Sequence, residues 1–465
     1  MQRVLDFVII NWLRVRTVFK FTPHDISTVE GKSNERYRRI LLTGGSTIIV
    51  KICSAVINLI TVPLTVKYLG AERYGLWMTI SSIMALMSFA DLGLGNGLLN
   101  AVSKANGRKS KIDARIAVSS TFFILLGIAL FLLIVFFSIN HFISWQNTFN
   151  VKSQLAIQES GPTVMVLIII FLVNLPLGVI QRIQEGYQEG YKFQLWLILG
   201  SILSFAGLLL CIFFKSGLVW LVLAFSGGQL VATLVNGITL FGKRRQYLRP
   251  RFRYIDLVVG KRLIKAGLIF FMLGLFTLLA NASDDIIIAQ TLGASSVSGY
   301  EIVKKMFFFT MITSFIIQPM WPAFGEAMES GDLLWIQNII KKGVLLSVGS
   351  GAIIALPLLL FGRQLIAIWV GNEFSPSWSL LLGFYIYIVL NNYIGLMSAF
   401  LNSGDLVRKQ LLPILLTAIS GILLKIIFSI HFGVSGIIWA TIFSWSVFYV
   451  IPTYFISRSI LLIKK

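Results

Sequence analysis

The stretch VKYLGAERYGLWMTISSIMALMSFADLGLGNG, from Val66 to Gly97, decides how the rest of the chain is interpreted. It predicts the end of one apolar helix, a turn at Leu69-Gly70-Ala71, and a second apolar helix that carries Asp91 beside a glycine cluster. The turn recurs once, as Leu292-Gly293-Ala294, at an offset of 223 residues. This recurrence indicates that the chain consists of two related halves.

The composition indicates a membrane protein. Hydrophobic residues make up 56% of the 465 residues, charged residues only 13%, and the mean hydropathy is +0.83. These values lie outside the range of ordinary soluble domains. The net charge of +21 is explained by basic residues that meet the anionic headgroups of membrane lipids, so no nucleic acid partner is expected. The two cysteines and three histidines are scattered singly, so neither a disulfide framework nor a metal site is expected.

Apolar runs of about 20 residues predict twelve membrane-spanning helices. The first six lie near residues 40–66, 75–101, 116–142, 161–182, 193–214 and 217–241. The second six lie near residues 263–290, 298–323, 343–368, 377–401, 411–430 and 434–460. The predicted fold is an all-α integral membrane protein with about 12 transmembrane helices in two six-helix bundles.

The distribution of positive charge supports this topology. Of the 40 lysines and arginines, 31 belong to the two chain ends and the connections after even-numbered spans, and 7 to the other connections. By the positive-inside rule, both termini are predicted to be cytoplasmic. Six spans return the chain to its starting side, so the two repeats are predicted to be parallel. The predicted segments are an N-terminal segment at 1–39, a first bundle at 40–241, a basic cytoplasmic linker at 242–262, and a second bundle with a short tail at 263–465.

The N-terminal segment has its own pattern. Residues 1–20 predict an amphipathic helix at the membrane interface, because their apolar side chains share an arc from which the charged side chains are absent. A frayed tail is the alternative interpretation. Residues 21–39 are polar and basic and are expected to lie against the membrane surface.

The candidate site residues are polar and charged side chains within or next to the predicted spans. Such residues are costly in a bilayer and usually face a bundle interior or water. The cationic and amide candidates are Lys51, Asn58, Asn281, Lys304, Lys305, Arg363 and Lys425, and the acidic candidates are Asp91, Asp284 and Asp285.

Several of these residues have a purely structural alternative. Arg363 lies near a helix end, from which its side chain can snorkel to the interface. Lys304 and Lys305 are adjacent, so they point about 100° apart and at most one is expected to face inward. Asp91 can hydrogen-bond to neighbouring backbone while the glycines that follow it allow close helix packing.

Motifs of enzymes are absent from the sequence. It contains no nucleophile elbow, no zinc-protease motif, no dinucleotide-binding motif and no P-loop. The chain is therefore not expected to be an enzyme, and no cofactor is expected.

Three motifs in the first half resemble the start of the polysaccharide-exporting flippases, including O-antigen flippases. They are Tyr68-Leu69-Gly70-Ala71, Tyr74-Gly75-Leu76 and Ala90-Asp91-Leu92-Gly93-Leu94-Gly95. The resemblance continues through the topology, through the connections at Gly186 and Gly404, and through Gly433-Val434-Ser435-Gly436 before the last span. These flippases belong, with the multidrug and toxin extruders, to the multidrug/oligosaccharidyl-lipid/polysaccharide transporter superfamily.

The resemblance implies two six-helix bundles around a central cavity, which opens alternately to the two sides of the bacterial inner membrane. The implied substrate is an oligosaccharide linked to undecaprenyl diphosphate, which moves from the cytoplasmic to the periplasmic leaflet while its tail stays among the membrane lipids. The residues implied in binding the diphosphate are Lys51, Lys425 and either Lys304 or Lys305, and those implied in carrying a coupling ion, H⁺ or Na⁺, are Asp91, Asp284 or Asp285. Glycan-assembly proteins are candidate partners.

Three alternatives remain open from the sequence. An extruder of cationic drugs in the same superfamily would favour acidic rather than basic cavity residues. A membrane scaffold without transport would need no repeat. A membrane-embedded glycosyltransferase or polymerase would ordinarily show a large extracytoplasmic loop or an acidic catalytic cluster.

Overall fold

The computed structural model describes residues 24–25, 27–86, 90–149, 151–292, 294–308, 310, 317–370 and 375–463. These residues form helices joined by turns, and no strand occurs among them. The interfacial helix predicted for residues 1–20 lies outside the described residues.

The helices are labelled here in chain order. Those before residue 240 are α1 Val29–Leu69, α2 Ala71–Leu86, α3 Leu94–Gly107, α4 Lys111–Asn140, α5 Gln154–Gly186, α6 Gly190–Phe213 and α7 Leu218–Thr239. The later ones are α8 Leu257–Ala282, α9 Asp284–Leu292, α10 Ala294–Phe308, α11 Met320–Glu329, α12 Leu333–Val370, α13 Trp378–Asn402, α14 Leu411–Phe432, α15 Val434–Trp445 and α16 Ile451–Ile463.

The described residues include 10 helical segments that are long and apolar enough to cross a membrane. They confirm the predicted all-α membrane protein. The spans predicted at 75–101 and 298–323 are not among the ten. They coincide with α2 and α3 and with α10 and α11, and each includes positions outside the described residues.

The chain divides into two compact units. The first unit comprises Gly45–Leu268, and the second comprises Ile269–Lys465 together with the residues up to Gly44. In the first unit, one apolar core forms around Val102 and Ile183. In the second unit, residues of α10, α13 and α15 form a core around Tyr300, and Ile40 of α1 joins another core near α11 and α12.

Two spans that the sequence predicts as regular helices are interrupted, and a third remains helical but contains a π-helical turn. In the second span, Gly93 adopts a left-handed conformation with φ of 73° just before α3 begins, a conformation that glycine tolerates without strain. In the seventh, α8 and α9 are separated at Ser283. In the last, a π-helical turn at Ser446–Val450 precedes Pro452. Proline lacks the N–H that a regular helix needs, so a π-turn is a common accommodation.

Small residues hold α6 and α7 together in the first unit. A side chain placed on Gly228 of α7 would lie 2.7 Å from the Cα atom of Ser204 in α6. One placed on Gly207 of α6 would lie 3.1 Å from Cβ of Ala224 in α7. The two helices therefore approach through glycines, as small residues allow in membranes, where van der Waals contact rather than the hydrophobic effect drives helix association.

We expect Gly228→Ala to lower the free energy of unfolding by about 1 to 3 kcal/mol, because the added methyl group overpacks the contact with Ser204. The neighbouring Gly227 provides a matched control, since a Cβ atom there would meet nothing within 4 Å. Thermal unfolding of both variants in detergent micelles measures the difference. Equal unfolding temperatures for Gly228→Ala and Gly227→Ala would contradict this description of the contact.

Candidate functional site

Lys425 lies in the middle of the apolar helix α14 and is almost completely buried, with 1% of its surface exposed. Its ammonium group forms an ion pair with Oδ1 of Asp284. It also donates a hydrogen bond to the backbone carbonyl of Ala280 and lies 3.3 Å from Oγ of Ser283. A backbone carbonyl, a hydroxyl and a carboxylate thus surround one cation.

The break between α8 and α9 explains why these oxygens are available. The last turn of a helix leaves carbonyl groups without intrahelical partners. Because α8 ends at Ala282, the carbonyl of Ala280 lies in that last turn. Asp284 begins the next helix, and Ser283 lies between the two. The side chain of Lys425 reaches this break from α14 and supplies the donor that the carbonyl needs.

The second carboxylate oxygen of Asp284 has its own partner. Oδ2 accepts a hydrogen bond of 2.8 Å from the hydroxyl of Tyr300 on α10. Tyr300 is buried and its ring lies 5.3 Å from that of Phe384. The carboxylate is therefore held from two sides, and the pair with Lys425 carries no net charge while both groups are ionised.

The structure therefore joins two of the predicted site residues. The sequence pointed to Lys425 as a substrate-binding cation and to Asp284 as an ion carrier, and they form one ion pair. Taking two charges out of water costs several kcal/mol for each ion, and this cost is offset only by good geometry and further hydrogen bonds. Such pairs inside a membrane are rare and usually functional.

The other predicted cations lie in different surroundings. Lys51 on α1 and Lys305 on α10 are exposed. Lys304 forms an ion pair of 2.6 Å with Glu301, one turn earlier on the same helix. Nε of Arg363 donates a hydrogen bond of 2.9 Å to the backbone carbonyl of Pro376. The guanidinium group of Arg363 also lies 4.8 Å from the ring centroid of Trp378.

Asp91 adopts the backbone-bonded arrangement that the sequence offered as an alternative. Its Oδ1 accepts a hydrogen bond of 2.9 Å from the N–H of Gly93, and its Oδ2 one of 3.3 Å from the N–H of Gly95. It therefore stabilises the start of α3, where backbone N–H groups lack helical partners. Gly97 lies two residues further, and a Cβ atom there would be 3.2 Å from the carbonyl oxygen of Leu263. Both observations support a structural role for this segment.

Three further candidates cannot be placed. Asn58 lies on α1, Asn281 lies on α8 and Asp285 lies on α9, but their side chains are outside the described part of the structure. Their predicted roles remain predictions.

The basic linker is built into the first unit. The guanidinium group of Arg245 lies 3.6 Å from the ring centroid of Tyr187 and forms an ion pair of 3.1 Å with Glu189. The hydroxyl groups of Tyr187 and Tyr247 are 3.1 Å apart. Burial and this hydrogen bond raise the pKa of Tyr187. Arg115 of α4 also donates to the carbonyl of Tyr247, so the segment is anchored. The helix α8 begins at residue 257 rather than near 263, because Oδ1 of Asp256 accepts hydrogen bonds from the N–H groups of Val258 and Val259 in its first turn.

Comparison with known proteins identifies the family. The sequence pattern that defines the polysaccharide biosynthesis protein family matches residues 41–328, more than half of the chain. The chain belongs to this family. The resemblance noted in the sequence is thereby confirmed at the level of the family.

Related proteins and folds agree with this membership. A Salmonella typhi protein that carries the name O-antigen transporter is 22% identical over 441 residues, which cover 91% of this chain and 98% of the relative. A Yersinia pseudotuberculosis protein that carries the name O-antigen export protein is 24% identical and covers 85% of this chain and 90% of the relative. A crystal structure of a MATE protein in a bent conformation has a similar fold, with a TM-score of 0.78, 15% identity, and coverage of 92% of this chain and 96% of the other.

The sequence did not single out every residue of the site in this family member. Tyr300 was missed because it is one of 13 tyrosines and nothing in its own neighbourhood marks it. Ser283 could have been noticed in the sequence, because it lies next to Asp284 and two residues after Asn281. Among the described residues, no group of three or more His, Cys, Asp and Glu side chains could hold a metal ion.

Proposed function

We propose that this chain is a membrane transporter that moves an oligosaccharide linked to undecaprenyl diphosphate across the bacterial inner membrane. Transport runs from the cytoplasmic to the periplasmic leaflet by alternating access and is driven by an ion gradient, with both termini in the cytoplasm. The observation that carries the proposal is the similarity to the Salmonella typhi O-antigen transporter, which covers 98% of that protein. The apolar helices and the family membership support it.

The buried ion pair supports a mechanism of coupling. While Asp284 is ionised, it balances the charge of Lys425 at the break between α8 and α9. Protonation of Asp284 removes that balance and leaves a cation in an apolar environment, which is costly. An anion stabilises such a cation, and the diphosphate is the anionic part of the proposed substrate. Uptake of a proton by Asp284 thus makes Lys425 available to the headgroup.

Other candidates have secondary parts in this proposal. Lys51 of the first unit and Lys305 of the second are both exposed, and we assign each a part in attracting the anionic substrate. Lys304 and Arg363 have partners within the second unit, so we assign them to holding that unit together. Asp91 is assigned to the start of α3. Membrane lipids accommodate the polyprenyl tail, and glycan-assembly proteins supply and receive the saccharide.

The experiment that tests the proposal measures the leaflet distribution of undecaprenyl-diphosphate-linked oligosaccharide in the native host lacking this chain. We expect accumulation on the cytoplasmic leaflet and relief when the wild-type chain is restored. Restoration with Lys425→Ala should reduce transport at least about tenfold, which corresponds to the loss of a single charge-assisted contact. The control Lys342→Ala removes an exposed lysine of α12 and should transport like wild type.

An unchanged leaflet distribution in the deleted strain, with surface glycan still made, would contradict the proposal. It would favour an extruder of cationic drugs from the same superfamily. Wild-type transport by Lys425→Ala, with normal amounts of protein in the membrane, would leave the flippase proposal intact but remove Lys425 from its site.

A further inference from the structure

The oxygens around Lys425 form the kind of group that binds a metal cation. Hard cations prefer oxygen ligands such as carboxylates and backbone carbonyls. In membrane transporters, interrupted helices coordinate Na⁺ through backbone carbonyls at their C-terminal ends. Here the interrupted helix is α8, the carbonyl is that of Ala280, the hydroxyl is that of Ser283, and the carboxylate is that of Asp284.

The position that such a cation would occupy is filled by the chain itself. The ammonium of Lys425 contacts the carbonyl of Ala280 and the carboxylate of Asp284, and it lies 3.3 Å from Ser283. Lys425 is 1% exposed, so the ammonium lies inside the second unit rather than at its surface. One positive charge balances one carboxylate, so the ion pair carries no net negative charge that would attract a second cation.

We propose that Lys425 is a built-in cation that occupies a sodium-type site at the break between α8 and α9. This inference rests on the proposed function and deepens it, since it excludes sodium as the ion bound at this position in the wild-type chain. In the wild-type chain, sodium has no function at this position. Removal of the ammonium leaves three oxygen ligands at a helix break, and sodium then binds there.

The contacts of Asp284 give each of its carboxylate oxygens a partner from the chain itself. Tyr300 on α10 donates its hydroxyl hydrogen to Oδ2, and Lys425 on α14 pairs with Oδ1. The ion pair leaves no uncompensated negative charge for a metal ion. Removal of the Lys425 ammonium would leave Oδ1 available as a ligand.

The test is thermal unfolding of the purified chain in sodium chloride and in choline chloride at the same ionic strength. The wild-type unfolding temperature should be equal in the two salts. For Lys425→Ala, sodium should raise the unfolding temperature by about 2 °C or more, because a cation that binds only the folded state stabilises it. Lys425→Met is the matched control, since it removes the charge but fills the same space, and it should show no sodium effect.

Lys425→Ser provides a second way to empty the position and keeps the test valid if the alanine variant does not fold. Stabilisation of the wild type by sodium, or the absence of stabilisation in both emptied variants, would overturn the inference. The measurement uses no glycolipid, so its result is independent of the leaflet assay. If sodium stabilises Lys425→Ala but the strain lacking the chain shows an unchanged leaflet distribution, the built-in cation is retained and the flippase function is rejected.

Discussion

Replacing Asp284 with asparagine is expected to lower the free energy of unfolding by about 3 to 5 kcal/mol, because it leaves the buried ammonium of Lys425 without a counter-charge. The substitution keeps the shape of the side chain and an oxygen that can accept the hydrogen bond from Tyr300. The loss of stability therefore measures the effect of removing the negative charge. Chemical or thermal unfolding in detergent micelles measures it. The measurement uses choline chloride, so that its conditions match one arm of the salt comparison on the Lys425 variants.

The double variant Asp284→Asn/Lys425→Met is the decisive control for this prediction. Replacing both members of a buried pair by uncharged residues is often neutral or stabilising. The double variant should therefore regain most of the stability lost in Asp284→Asn. Additive losses in the double-variant cycle would show that the two side chains do not act as a pair.

Arg36→Ala is expected to lower the free energy of unfolding by about 2 to 3 kcal/mol, because hydrogen bonds to buried charged groups contribute strongly and their loss leaves partners unsatisfied. Arg36 is 3% exposed, and its Nη1 donates to Asp332 at 2.7 Å while its Nε lies 3.4 Å from Glu326. Its guanidinium group also lies 5.0 Å from the ring centroid of Trp335. It thereby attaches the start of α1 to α11 and α12.

Arg39 provides the comparison for Arg36. It pairs with Glu35 on the same helix at 2.7 Å and is more exposed, with 27% of its side chain accessible. Glu35 also pairs with Arg38 at 2.7 Å, so it keeps a counter-charge when Arg39 is removed. Since i,i+4 pairs on a helix contribute about 0.3 to 0.5 kcal/mol, Arg39→Ala should change the unfolding temperature little. Equal effects of the two substitutions would contradict the attachment of α1 through Arg36.

The class of fold was predictable because every apolar span had to be long enough to cross the membrane. The predicted 411–430 and 377–401 spans agree with α14 and α13 to within two residues. The interruptions were not predictable from hydropathy. The break at Ser283 depends on the carbonyl acceptor, the carboxylate and the lysine being near one another, and these lie in different helices.

The candidate site was predictable residue by residue but not as an arrangement. Lys425 and Asp284 were both singled out because charges are rare in apolar spans. Their pairing depends on the contact between α9 and α14, which no local pattern encodes. The packing of Arg36 was missed for a similar reason. Its partners Glu326 and Asp332 follow almost 300 residues later. The sequence near Arg36 therefore indicated only a polar and basic segment at the membrane surface.

The glycine contact between α6 and α7 also bears on how the protein is made. The two helices are neighbours in sequence, joined by the short turn between Phe213 and Leu218. All the atoms of their contact are therefore available once residue 239 has entered the membrane. Because such local contacts form early and domains fold from the N-terminal end during synthesis, this hairpin can assemble while the ribosome is still producing the second unit. The pair is thus expected to form before synthesis of the second unit is complete.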